Sequence, residues 1–318
     1  MAETGDRKKI LVIADIEGST GCWSKSDSEF MDPGWPGACA GMSLDVDAVV
    51  RALFECGAES VTVKDFHRTG YNLLPELIDR RAAVIHGYRN GPVPGIGDPG
   101  GAGVLMMTGM HAASGTDGFL AHTLTSRISL LEVNGKPVSE AELFSSSLAP
   151  FGAAPLFFSG CPEACRHAER RLDGIITFPI DKTAGREGFD PRAWREKLAA
   201  SAAKAFLNAG AIPYLPAGPF SARVVMRDGP GEAERICSRW NFKRRGAEIY
   251  IMAEDMAGLY RSLIRLAYLT PLTEKILPAG LGLYNLYGRS GLAWVRRNAR
   301  DLIRREQAAG RRQVTSSS

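Results

Sequence analysis

Acidic and imidazole side chains recur in this sequence where short apolar runs end. Ile10-Leu11-Val12-Ile13 leads into Asp15-Ile16-Glu17-Gly18, Ser60-Val61-Thr62-Val63 into Asp65-Phe66-His67, and Val104-Leu105-Met106-Met107 into Gly109-Met110-His111. In an extended segment, residues two apart share one face. Asp15 and Glu17 can therefore converge on a single site, where their like charges repel unless a cation joins them. Carboxylate and imidazole donors suit zinc or manganese. Glu140 is a further candidate, because Ser139 and Glu142 read as a capping box that leaves Glu140 free at the start of a helix. Asp15, Glu17, His67 and His111 can hold one ion, and with Glu140 and a bridging carboxylate the set better matches two. His122 adds an imidazole for proton transfer or for stabilising a developing charge.

The elements that position these groups follow from the apolar pattern. The β-branched, continuous run at Ile10–Ile13 predicts a strand covered on both faces. Val46, Val49, Val50 and Leu53 predict a helix with Ser43 as its cap, Asp45 and Asp47 in its first turn and Gly57 as its stop. A proline-interrupted helical stretch is expected over Pro75 to Arg81. Strands alternating with helices give the fold class: α/β, a mainly parallel sheet flanked by helices, with a smaller C-terminal α+β domain. In such a sheet ligands sit outside the carboxyl ends of the strands, where these acids and imidazoles fall. Asn134-Gly135 between apolar runs signals a hairpin.

Further strands are expected at Leu156–Phe158 and Gly174–Phe178, with a helix between them, and another helix over Arg192 to Leu207. Pro213, Pro216 and Pro219 mark a linker, followed by strands at Ala222–Met226 and Ala247–Met252 and a helix from Asp255 to Tyr268. The expected division is an α/β metal-binding domain over 9–190, a smaller α+β domain over 191–275 and a basic extension over 276–318. The glycine-rich stretch from Gly91 to Gly103 contains three prolines and no closing Lys-Ser/Thr pair, so it reads as a surface loop rather than a nucleotide site.

The remaining composition narrows the function classes. The chain has 318 residues, is 45% hydrophobic and 23% charged, and carries a net charge of +4, which suits a folded enzyme-sized subunit and not a disordered chain. Neither a signal peptide nor a membrane-spanning run is evident, and the six scattered cysteines fit a reduced cytoplasm better than a disulfide framework. His86 and His167 read as surface or packing residues, and Cys161 and Cys165 as packing or capping. Residues 292–308 predict a helix with Leu292, Val295, Leu302 and Ile303 among arginines. Its ordinary reading is packing on a neighbouring subunit or partial disorder; contact with an anionic membrane surface or an acidic partner is the lesser one. The tail lacks an interleaved aromatic platform, so nucleic-acid binding is not expected. Truncation after Lys275 is expected to spare the metal site and the hydrolysis of small substrates.

From Ile10 to Lys275 the chain resembles the DppA-type D-aminopeptidases. The resemblance is carried by Asp15-x-Glu17-Gly18, Asp65-x-His67, Gly109-x-His111, His122-Thr123 and Asn134-Gly135-x-Pro137-Val138-Ser139-Glu140. It implies that Asp15, Glu17, His67, His111 and Glu140 bind two zinc ions per subunit, that His122 is the catalytic histidine, and that the subunits form a homo-oligomer, a decamer in that family. Asp65 would then lie behind His67 and fix its tautomer. The implied activity is aminopeptidase cleavage of small peptides containing D-amino acids by a water activated between two zinc ions; no further cofactor is implied. The departures are Cys22–Met42 and Cys161-Pro162, which do not resemble the family's usual stretches, and the extension after Lys275. The alternatives are a biosynthetic amidase or acyl-transfer enzyme reusing the site, or a non-catalytic ring-forming binding protein.

Overall fold

The computed structural model describes residues 6–183, 185–208 and 210–316, with side chains as far as residue 308. The chain opens with β1 (Asp6–Ala14), α1 (Trp35–Glu55), β2 (Ser60–Asp65), β3 (Ala83–Ile85) and β4 (Ala102–Met110). It continues through β5 (Ile128–Val133), β6 (Lys136–Pro137), α2 (Glu140–Leu148), β7 (Ala154–Gly160), α3 (Pro162–Arg171), β8 (Ile176–Pro179) and α4 (Pro191–Leu207). The remainder is β9 (Phe220–Met226), α5 (Pro230–Trp240), β10 (Lys243–Arg245), β11 (Glu248–Ala253), α6 (Met256–Tyr268), α7 (Pro271–Lys275), α8 (Leu277–Asn298) and α9 (Arg300–Ser316).

Six strands form a parallel sheet in the order β3-β2-β1-β4-β7-β8. The expected parallel sheet is therefore present, and its strand order reverses between β1 and β4, where this architecture opens a crevice. Alternation along the strands separates two cores. Ile10, Val12 and Ala14 face one side with Val104 and Met106, against α1 and α4. Leu11 and Ile13 face the other with Leu105 and Met107, towards a second sheet. That sheet is antiparallel, in the order β10-β11-β9-β5-β6. It takes the Asn134-Gly135 hairpin, β5 and β6, from the middle of the chain and pairs β5 with β9. Asn134 and Gly135 have φ of 51° and 75°, as a two-residue hairpin turn requires.

Several expectations need correction. The first helix starts at Trp35, with Pro36 in its first turn, so Ser43 lies within it and is not its cap. The Ser43 hydroxyl instead donates to the Cys39 carbonyl and accepts from the Leu74 N–H. Asp45 is likewise no first-turn acid: buried in mid-helix, it accepts from Thr20 and Arg195. The Pro75–Arg81 stretch supplies only one 3-10 turn, at Pro75–Leu77. α5 and β10 are elements that the apolar pattern did not signal. The tail is helical from Leu277, far earlier than residue 292, and its face of Leu292, Val295 and Ile303 is buried against this same chain. Leu302, expected on the same face, stays exposed, as do Leu283 and Leu286 earlier in the tail. Among the described residues no helix is long and apolar enough to cross a membrane.

Candidate active site

The carboxyl ends of β1, β2 and β4 and the start of α2 bring the acids and imidazoles together. Asp15 directly follows β1, His67 lies just past β2, His111 directly follows β4, and Glu140 is the first residue of α2. All are nearly buried, with Asp15, Glu17, His67, His111 and Glu140 between 4% and 8% exposed. The capping box forms between Ser139 and Glu142, so Glu140 is left to point at the site, where its Oε1 accepts from the Leu124 N–H at 2.6 Å. His122 reaches in from the loop after β4 and stacks on His111, with ring centroids 3.8 Å apart and planes 8° from parallel.

Close packing of two turns makes this convergence possible. The β1 turn and the β4 turn touch through Gly18 and Gly109: a Cβ on Gly109 would lie 2.1 Å from the Asp15 carbonyl oxygen, and Gly109 has a φ of +73°. No side chain fits there without moving Asp15. Gly109→Ala is therefore expected to cost about 1–2 kcal/mol for the left-handed backbone alone, with the clash in addition. It should lower the thermal midpoint by several degrees and weaken binding of a divalent ion to the cluster. Unchanged melting and metal content would show that the two turns have slack.

Two groups of atoms share Asp15. His67 Nδ1 lies 3.1 Å from Asp15 Oδ1 and 3.0 Å from Glu17 Oε2. His111 Nε2 lies 3.3 Å from Asp15 Oδ2 and 3.6 Å from Glu140 Oε1. Donor atoms about 2.1 Å from one tetrahedral ion sit about 3.4 Å apart, the spacing both groups show. Glu17 Oε2 is close enough to His67 for an ion pair but not aligned for a hydrogen bond, which leaves it a buried oxygen without a donor. Such an orphan is costly unless a cation meets it.

The far sides of the rings set the tautomers. His67 Nε2 donates to the Ser28 carbonyl at 2.9 Å, His111 Nδ1 to the Ala112 carbonyl at 3.1 Å, and His122 Nδ1 to the Leu120 carbonyl at 2.8 Å. A carbonyl can only accept, so each neutral ring turns a lone pair into the site. In two of the rings that lone pair faces carboxylate oxygens. Backbone carbonyls holding the outer N–H groups are the usual support of metal-binding histidines, and the donor set present here fits divalent ions. Asp65, expected to hold the His67 ring, does not touch it. Its carboxylate accepts from the N–H groups of His67, Asn72 and Leu73 and from the Asn72 amide. It fixes the loop that carries His67, while the Ser28 carbonyl does what was expected of Asp65. A main-chain oxygen from a distant segment leaves no signal in sequence spacing.

Charge balance repeats this pattern. Burial opposes the charge on Asp15, but in their protonated form the His111 and His67 rings donate to its carboxylate and hold it well below the ordinary range, so that inward protons stand where a metal ion would meet the lone pairs of the neutral rings. Burial likewise opposes charge on His111, yet the Glu140, Asp15 and Glu17 carboxylates lift it to about 10. The cluster thus demands positive charge between its acids. Burial and the neighbouring His111 push His122 the other way, down to about 4, so its ring is neutral around pH 7.

The backbone is unusual beside two of these rings. Arg68, next to His67, and Leu120 and Leu124, on either side of His122, all have positive φ, at 46°, 48° and 63°. Left-handed non-glycine residues gather where a surrounding structure imposes a functional geometry. The other candidates lie apart. His167 is buried against Glu142 at 2.7 Å, and His86 stacks on Tyr71 and bonds the Leu73 carbonyl. Cys161 and Cys165 are buried free thiols. The Gly91–Gly103 stretch is a loop, as expected, but part of it lines a cavity of about 1290 Å³ that opens onto the acid–imidazole cluster.

Fold and site together define a doubly wound α/β protein with a buried acid–imidazole cluster at its switch point. The chain belongs to the M55 peptidase family, described as D-aminopeptidase, which matches residues 8–264. A D-aminopeptidase of Bacillus subtilis (strain 168) is 23% identical over 266 residues, covering 80% of this chain and 95% of that relative. The structure of the Zn-dependent D-aminopeptidase DppA from Bacillus subtilis, a self-compartmentalizing protease, shares the fold. It superposes with a TM-score of 0.75 at 20% identity, covering 82% of this chain and 97% of the other.

Proposed function

We propose that this chain is a two-zinc aminopeptidase that removes an N-terminal D-amino acid from small peptides or amides. Glu17, His67 and one oxygen of Asp15 would hold one ion; His111, Glu140 and the other Asp15 oxygen would hold the second. The observation that carries this reading is the set of imidazole lone pairs turned against buried carboxylates, with every outer N–H given to a main-chain carbonyl. Zinc follows from the mixed nitrogen and oxygen donors and from the zinc dependence of the structural relative. Bound at this site, the ions would polarise the substrate carbonyl and supply a water acidic enough to attack near neutral pH.

The protein's own residues do the rest. Asp15 ties the two halves of the site together, and the Ser28 and Ala112 carbonyls keep His67 and His111 in the ligating tautomer. His122, neutral and fixed by Leu120, offers Nε2 to take up a proton and return it to the leaving amine. The walls of the cavity exclude water from the reacting bond and select the stereochemistry of the first residue. The self-compartmentalizing relative supports assembly of this chain with copies of itself.

Elemental analysis of zinc-replete protein, paired with hydrolysis of D- and L-alaninamide, tests this function. Two zinc ions per chain and a clear preference for the D isomer are expected, with both lost after chelation. One tightly bound ion at most, or preference for the L isomer, would overturn the reading.

A further inference from the structure

Family membership is carried by residues 8–264, so α8 and α9 lie outside it. α8 nevertheless packs closely on the catalytic body. Its inner stripe of Gly288, Gly291, Leu292 and Val295 is buried, and a Cβ on Gly288 would fall 2.2 Å from the Tyr71 ring. The helix backbone therefore rests directly on that tyrosine. Tyr287 packs at a tilt against Phe30 with ring centroids 4.4 Å apart, and Trp294 stacks on Trp35 at 6.0 Å. Asn285 accepts from the Tyr88 N–H at 3.2 Å and donates to the Tyr88 carbonyl at 3.3 Å. Arg296 binds both oxygens of Glu76, at 2.9 and 3.1 Å.

Held in this way, the first half of α8 crosses the cavity that opens onto the acid–imidazole cluster. Leu277, Gly280, Leu281, Tyr284 and Tyr287 line it together with Asp15, His111 and His122. The Tyr284 hydroxyl donates at 3.3 Å to the carbonyl of Arg68, the residue after His67. At about 1290 Å³, the cavity exceeds the roughly 300–1,000 Å³ usual for small ligands. Its acids are the cluster itself and Glu274, which is paired with Arg265. Four lining arginines, Arg68, Arg89, Arg227 and Arg261, are exposed and have no carboxylate partner among the described residues. The cavity thus offers an apolar, aromatic wall and unpaired guanidinium groups.

We propose that α8 is a specificity wall for the reaction proposed above, on which this inference rests. The substrates it selects are peptides of three or more residues. An apolar or aromatic side chain beyond the scissile bond lies against Tyr284 and Tyr287, and the free C-terminal carboxylate meets the unpaired arginines. A truncation after Lys275 would then remove part of the substrate site, contrary to the expectation from sequence.

Gly280 provides a sharp test, because a Cβ there meets nothing within 4 Å and a larger side chain projects into the cavity from a helical backbone. The full-length zinc-loaded protein and its G280F and Y284A variants are compared on D-alaninamide and on the tripeptide D-Ala-D-Phe-D-Phe. Leu283→Gln, on the same helix but 71% exposed and outside the cavity lining, is the control. The ratio of kcat/KM for the tripeptide to that for the amide should fall about tenfold in both wall variants, through KM: in Y284A by loss of aromatic packing, in G280F because the added ring fills the space the longer substrate needs. L283Q should leave the ratio unchanged. Amidation of the tripeptide C-terminus should weaken wild-type kcat/KM by about tenfold, the scale of a lost charge-assisted hydrogen bond.

Calorimetric binding of the tripeptide to the zinc-free protein gives a second readout and should weaken in the same two variants. Equal losses on both substrates, or none, would overturn the wall, and indifference to amidation would overturn the role of the arginines. If the zinc-loaded wild type cleaves neither substrate, the peptidase reading fails. The wall is then judged by binding, where unchanged affinity across the variants overturns it.

Discussion

Replacing Asp15 with alanine should remove zinc and activity together. Asp15 contacts both His67 and His111 through different carboxylate oxygens, so its loss disconnects both halves of the proposed site. Metal ions supply several kcal/mol of transition-state stabilisation, and each 1.36 kcal/mol is a factor of ten in rate. A fall in kcat/KM of about 1,000-fold or more is therefore expected, with zinc reduced to background by elemental analysis. Asp15→Asn separates charge from shape, because the amide oxygen can still accept from the Ile16 N–H that Asp15 Oδ1 now holds at 2.7 Å. It should also lose the zinc-dependent rise in melting temperature that binding to the folded state alone confers. Full turnover in a folded D15A or D15N protein would place the chemistry elsewhere.

The second large effect is expected at His122 and has the opposite signature. His122→Ala should keep the metal content of the unaltered protein and lose at least about 100-fold in kcat, the contribution of a positioned acid–base group. The stacked His111 ring keeps its own contacts to Asp15, Glu140 and the Ala112 carbonyl, although His122 also lies close enough to His111 and Glu140 to share an ion with them, so metal content is the measurement that separates the two roles. A drop in zinc would make His122 a ligand, and an unchanged rate would remove its proton-transfer role.

The parallel sheet and the placement of the candidate ligands were legible because both depend on short-range pattern. Continuous β-branched runs announce buried strands, and residues at their carboxyl ends must gather at one edge of a parallel sheet. The same logic fails where a long-range contact reassigns a residue. Ser43 has the chemistry of a helix cap, but its hydroxyl bridges Cys39 and Leu74 from within the helix. The part of α8 before residue 292 was invisible because Gly280, Gly282, Gly288 and Gly291 disfavour helix by propensity. Two of those glycines are instead where the helix backbone approaches Tyr71 and Phe30. Likewise, no local signal tells that the Ser28 carbonyl, rather than Asp65, receives the His67 N–H.

The path of the chain between His122 and Glu140 bears on biosynthesis. That interval contains the β5–β6 hairpin, whose remaining partner, β9, begins only at Phe220. Every candidate ligand has been synthesised by residue 140, yet the strand that secures the hairpin ahead of Glu140 is made much later. Pairings so distant along the chain form slowly, because loop closure must come first. A half-synthesised chain therefore holds its acids and imidazoles without a settled Glu140. Closing the hydrolytic centre thus depends on a pairing between segments made far apart in time, β5 and β9.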